Sequence, residues 1–175
     1  MALNYVQLDE ETRRLMVEEV TADIAEVRVF VSTRLSATGR AAYSSLLLSA
    51  MRSGTDSTLD KALSAFGMLN EFEMSQRKGV PYQKRVPANA ASVLAEGEFN
   101  KYYVRAICRR AMENGRETVE VYRGRQSQQP RPESEQLVGT PLRAAELLND
   151  LRSNTLTPDQ LGILPQVNTG LTVRY

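Results

Sequence analysis

Lys101, Arg105 and Arg109 recur at four-residue steps, with Tyr102 and Tyr103 beside them and Arg110 and Arg116 close behind. On a helix this spacing aligns the cations in one row, and cations interleaved with aromatic rings can grip phosphates by charge and stacking. The same residues suit carboxylates, because a guanidinium fork meets a carboxylate through two parallel hydrogen bonds. Glu98, Glu113 and Glu117 lie within reach of the row in sequence. Three readings follow: a solvated or ion-paired face, a protein contact, and a nucleic-acid contact. A second basic group, Arg77, Lys78, Tyr82, Lys84 and Arg85, surrounds a turn at Gly79. Both groups are candidate partner-binding residues.

Other chemistries are short of parts. The chain has no histidine and one cysteine, so Ser-His-Asp and Cys-His catalysis lack their base and ordinary zinc sites lack ligands. Neither a phosphate-binding glycine loop nor an EF-hand spacing occurs, and the acidic residues do not cluster as DxD or ExxH. Cys108 stands beside Arg109 and Arg110. Those cations would lower a thiol pKa, but a small residue in a helix interior explains it as well. Arg123-Gly-Arg125 reads as a strand passing into a turn. No catalytic residue, metal ligand or cofactor is assigned, and the chain is expected not to be an enzyme.

The charge is patterned. Residues 74–131 carry 12 Lys and Arg against 5 Asp and Glu, a balance of +7, whereas residues 1–73 stand at −4 and residues 132–175 at −2. A net charge of +1 thus covers acidic ends and a basic middle, a pattern that orients partners. No run of 18 apolar residues occurs, so no membrane partner is expected. MALNYVQLDEE has neither the basic nor the apolar region of a secretory signal. A single cysteine excludes an internal disulfide.

The elements that must position these residues read as follows. Asp9 caps a helix from Glu10 to Ala25 with Leu15, Met16, Val20 and Ile24 on one stripe. Residues 27–31 alternate in a β-branched run and predict a strand. Ser36 opens a second helix to Met51, with Gly54 in a left-handed terminal position. Thr55 opens a third, with Leu59, Leu63 and Phe66, closed by Gly67. Residues 68–87 predict a β-hairpin with a basic tip, or else a flexible surface loop. Phe72, Met74, Val80, Tyr82 and Val86 alternate there, too few apolar side chains to hold an arm without a neighbouring surface. Asn89 or Ser92 starts the longest helix, ending at Asn114 and Gly115, with Phe99, Tyr103, Ile107 and Ala111 as its buried stripe and Lys101, Arg105 and Arg109 on another face. Residues 117–123 predict a strand, and residues 124–134 a polar loop. Thr140-Pro141 starts a helix through Leu142, Leu147, Leu148 and Leu151, and Thr157-Pro-Asp-Gln160 repeats the start signal. The last dozen residues are expected to lie extended, on this domain or on a neighbour. The fold class is a mainly helical α+β domain over residues 1–152, with a small sheet from 27–31 and 117–123, a β-arm at 68–87 and an extended tail at 153–175.

The block AEGEFNKYYVRAICRRAMENG, followed by VEVYRGR, PRPESEQLVG and AELLNDLR, resembles a pattern among small uncharacterised proteins of tailed phages and prophages. It covers residues 94–152, and YVQLDEETRRLM near the N-terminus agrees with it. Taken with the arm and tail, the resemblance implies a virion structural or accessory protein, in capsid decoration or head–tail assembly. Such a protein is made in the host cytoplasm and carried in the virion. It is expected as a homo-oligomer or in repeated copies, against partners such as a major capsid or portal-region protein. The alternative is a nucleic-acid-binding or regulatory phage protein using Lys101, Arg105 and Arg109. A host-directed enzyme or inhibitor comes third, disfavoured by the missing histidine.

Overall fold

The computed structural model describes residues 3–126, 132–153 and 169–175. Its elements are α1 (Glu10–Ala25), α2 (Ala37–Ser53), α3 (Asp56–Leu63), β1 (Phe72–Arg77), β2 (Val80–Arg85), α4 (Ala90–Glu113), β3 (Thr118–Arg123), α5 (Pro132–Leu137), β4 (Pro141–Arg143), α6 (Ala144–Ser153) and β5 (Leu171–Arg174). The expected class, mainly helical α+β, is what the chain forms.

The first three helix starts lie where their caps place them. Asp9, Ser36 and Thr55 each accept a hydrogen bond from the third backbone amide beyond them, satisfying donors that the first turn leaves without partners. Thr55 and Thr58 close a reciprocal capping box. Gly54 ends α2 with φ −100, not in the left-handed region. A glycine is needed there for room: a Cβ would stand 2.3 Å from Thr58 Oγ1 and 3.0 Å from Ala50 Cα.

Helix α4 is the axis of the domain, packed by α1, α2, α3 and α6 and by β3 and β5. Phe99, Tyr103, Ile107 and Ala111 are fully buried, as their spacing requires. Burial is not confined to that stripe: Glu96, Glu98, Lys101, Tyr102 and Arg105 are buried too. A helix enclosed on several sides has no solvent face on which to leave its charges.

Strand β3 forms as expected, but its partners are others. The sheet order is β4-β3-β5, antiparallel throughout, with Val119 opposite Leu142 and Val121 opposite Val173. Residues 27–31 form no strand. After the cap at Glu26, Val27 turns to φ 56, and the Arg28 amide donates to the Asp23 carbonyl, so the chain wraps the end of α1 in place of pairing. The helix expected from Thr140 begins at Ala144. Pro141 and Leu142 belong to β4, an edge strand, where a missing amide is tolerated. The end of the expected tail, β5, lies on this domain: Leu171, Thr172 and Val173 are buried, and the Tyr175 amide donates to Gln7 Oε1. The start signal at 157–160 lies outside the described residues, as do 127–131 of the polar loop. Residues 132–137 of that loop region are helical.

Candidate partner-binding site

The basic row on α4 turns inward. Arg105 is 1% exposed. Its Nε donates to Glu19 Oε2 at 2.8 Å, and Nη1 and Nη2 donate to Asp23 at 2.6 and 3.2 Å. Both carboxylates come from α1, one turn apart, and both are buried. The Tyr102 hydroxyl donates to Asp23 Oδ2 at 3.0 Å, while its ring lies 5.1 Å under the Arg105 guanidinium. From the rim, Arg109 and Arg152 donate to Glu19 and Arg28 donates to Asp23. Burial alone would push the two carboxyls up in pKa. The surrounding guanidiniums more than offset it, and both are held below their usual range. Lys101 is 5% exposed, its ammonium donating to Glu98 at 2.7 Å above the Tyr102 ring. Arg109 also pairs with Glu18 at 2.8 Å.

These are corrections to the sequence reading. Lys101 and Arg105 belong to no exposed face, and Arg109 is largely consumed by α1. The cause is long-range: the acids lie 82 and 86 residues away in sequence and meet the row only after α1 docks on α4. A local signal existed. Thr12, Leu15, Met16, Glu19, Val20 and Asp23 form one stripe of α1, so two acids share a face with the core residues.

Glu98 also borders a cavity of about 330 Å³, with Phe30, Arg34, Glu73, Val93 and Leu94 among its walls. Burial raises its pKa, and Lys101 only partly opposes this. A raised carboxyl in a cavity is a pattern used in acid–base chemistry. Here its neighbours are already paired, Lys101 with Glu98 itself and Glu73 with Arg34 and Lys84. Among the described residues, no three His, Cys, Asp or Glu side chains are grouped to hold a metal ion. Cys108 is fully buried, and burial pushes its thiol up to about 12, the opposite of activation.

The second basic group has the other fate. Strands β1 and β2 pair in register from Phe72 opposite Arg85 to Arg77 opposite Val80. Lys78 at φ 50 and Gly79 at φ 78 make the two-residue turn whose twist suits a hairpin. This selects the hairpin over the loop reading. The arm is tied at its root, where Arg34 Nε donates to Glu73 at 2.6 Å and the Asn70 amide donates to the Arg34 carbonyl. Beyond the root, the strands pack chiefly on each other. Met74 is 69% exposed and Val80 65%, with Phe72 and Tyr82 also open. Arg77 and Lys78 at the tip are exposed, as is Arg85.

The register divides the apolar side chains of the arm between its two faces. Opposite residues share a face and neighbours alternate, so Phe72 and Met74 lie with Pro81, Gln83 and Arg85, while Val80 and Tyr82 lie with Glu73, Arg77 and Lys84. Each face is part apolar and part basic. No family model, curated protein or solved structure matches this chain. No described helix is long and apolar enough to cross a membrane.

Proposed function

We propose that this is a virion structural or accessory protein of a tailed phage or prophage, acting by protein–protein contact and not by catalysis, with the hairpin as its principal contact. The observation carrying the contact is the arm itself: apolar side chains on both faces, left open by the described residues of the domain, beside unburied cations. An isolated two-stranded hairpin is marginal in water, so such an arm gains order from a surface that covers it. The sequence resemblance over residues 94–152 supplies the phage context, with a capsid or portal-region subunit as the partner class. The nucleic-acid reading loses the α4 residues on which it rested, since Lys101 and Arg105 are buried and Arg109 is paired with Glu18 and Glu19.

Mass spectrometry of purified particles from a lysogen carrying the gene tests the reading. The chain should appear in fixed stoichiometry to the major capsid protein, and its absence from intact particles would overturn the assignment. Deleting the arm should remove the chain from particles while the domain still folds.

A further inference from the structure

The two edges of the hairpin are not equivalent. The Val86 amide donates to the Glu71 carbonyl, so in an antiparallel ladder every second pair onward, 73/84, 75/82 and 77/80, is hydrogen-bonded inward. Residues 72, 74 and 76 of β1 and 81, 83 and 85 of β2 then direct their backbone groups outward. On the β2 edge the first of these is Pro81, which has no amide hydrogen. On the β1 edge Phe72, Met74 and Gln76 all have one. The 33–36 strap occupies that edge only as far as Asn70, whose amide donates to the Arg34 carbonyl. The β1 edge beyond it is therefore complete, uncharged at its outward positions and unpaired among the described residues, the kind of edge that templates another strand.

We infer that β1 pairs antiparallel with β1 of a second copy of this chain, about a two-fold axis at Met74, giving a four-stranded sheet across two subunits. The register is self-complementary. Met74 meets Met74 of the other copy, Phe72 meets Gln76, Glu73 meets Ser75, and Glu71 meets Arg77 on both sides of the axis. Shifting by two residues toward the root would set Glu73 against Glu73. Shifting the other way would ask Glu73 to meet Arg77, although Glu73 is already held by Arg34 and Lys84. Glu71 is freer, since its own pair with Arg85 is 3.4 Å long and exposed. The pairing unites Phe72 and Met74 of both copies in one apolar patch and satisfies six amides, three from each edge. An isologous contact of this kind closes on itself and yields a dimer.

This inference deepens the assembly reading, but it is tested on the purified chain alone, so its failure and the absence of the chain from particles are separate results. Met74→Cys is the direct probe. Opposed residues of a hydrogen-bonded pair stand about 5.5 Å apart between Cα atoms, inside the disulfide range. Mild oxidation should give a covalent dimer from Met74→Cys and not from Gln83→Cys on the other edge, with buried Cys108 silent. Met74→Pro removes the central outward amide and leaves the inward ladder intact, as Pro81 does on β2. In sedimentation it should weaken the dimer at least about tenfold with unchanged circular dichroism. Arg77→Glu should also weaken it, and Arg77→Glu with Glu71→Arg should restore it. A native chain that stays monomeric at high concentration, or crosslinking through Gln83→Cys and not Met74→Cys, would overturn the inference.

Discussion

On the α1 side of α4, Arg105 meets two carboxylates and its side chain is 1% exposed, whereas on the arm Arg85 meets Glu71 at 3.4 Å and its side chain stays 78% exposed. Both regions combine cations, acids and tyrosines, and the cations of both lie in the basic middle of the chain. The difference is what each has packed against it. Arg105 is enclosed by α1 and α4, so its charge is committed to geometry. Around the arm, none of the described elements encloses the charge, which leaves it open to a partner. Basic residues therefore become available for recognition through what the fold leaves uncovered, not through their spacing along the chain.

Arg105 is the side chain whose loss costs the enclosed network most. Arg105→Met leaves Glu19 and Asp23 buried with rim arginines alone. Removing one member of a buried ionic set costs about 3–5 kcal/mol, which at this size lowers Tm by roughly 10 °C. Arg105→Glu with Arg109→Glu would be mild on an exposed face. Here it places two further carboxylates beside the buried Glu19 and Asp23, and no cooperative melt is expected. A well-folded double variant by circular dichroism would reverse the assignment of the row.

Acid acts on the same network. Glu19 and Asp23 have depressed folded pKa values, so their contribution is present above the unfolded values of about 4 and is lost as pH falls through the folded ones. Glu98 has the opposite sign: its raised pKa means that protonation just above its ordinary value returns stability. The urea midpoint should change little down to about pH 5 and fall steeply below about pH 4. A flat profile from pH 5 to pH 2.5 would contradict the pairing.

Much of this was legible locally. Asp9, Ser36 and Thr55 mark helix starts by side-chain chemistry that needs no tertiary partner, and the turn at Lys78-Gly79 sets its hairpin in the same way. What was hidden depends on residues far away in sequence. The β-branched run at 27–31 looks like a strand, but no described strand is placed to receive it, and Val27 closes the end of α1. Thr140-Pro141 has the composition of a helix start, yet β3 offers an edge that captures Pro141 and Leu142 first. The inward turn of the basic row required α1 to be placed.

Val27 gives a smaller test of that account. A β-branched residue at φ 56 is strained where glycine is not. Because Val27 is 88% exposed, Val27→Gly loses little packing and should raise stability by about 0.5–1 kcal/mol. A loss of stability in urea unfolding would return residues 27–31 to a structural role in extended form.

Arg34→Ala is expected to have the least effect on the domain and a clear effect on the arm. The Arg34–Glu73 pair is partly exposed, where such pairs are worth about 0–1 kcal/mol, so Tm should barely move. Trypsin should nevertheless cut faster at Arg77, Lys78, Lys84 and Arg85, because the root is loosened. Equal change in both readouts would mean that the arm and the domain are one cooperative unit.

The cations of α4 hold the fold, whereas Arg77, Lys78 and Arg85 of the arm stay exposed for a partner. Labelling the native chain with an arginine-selective dicarbonyl, with each site read by mass spectrometry, tests this most directly. Arg77 and Arg85 should react quickly and Arg105 only after unfolding, with Arg109 in between. Native labelling of Arg105 as fast as that of Arg85 would contradict the account.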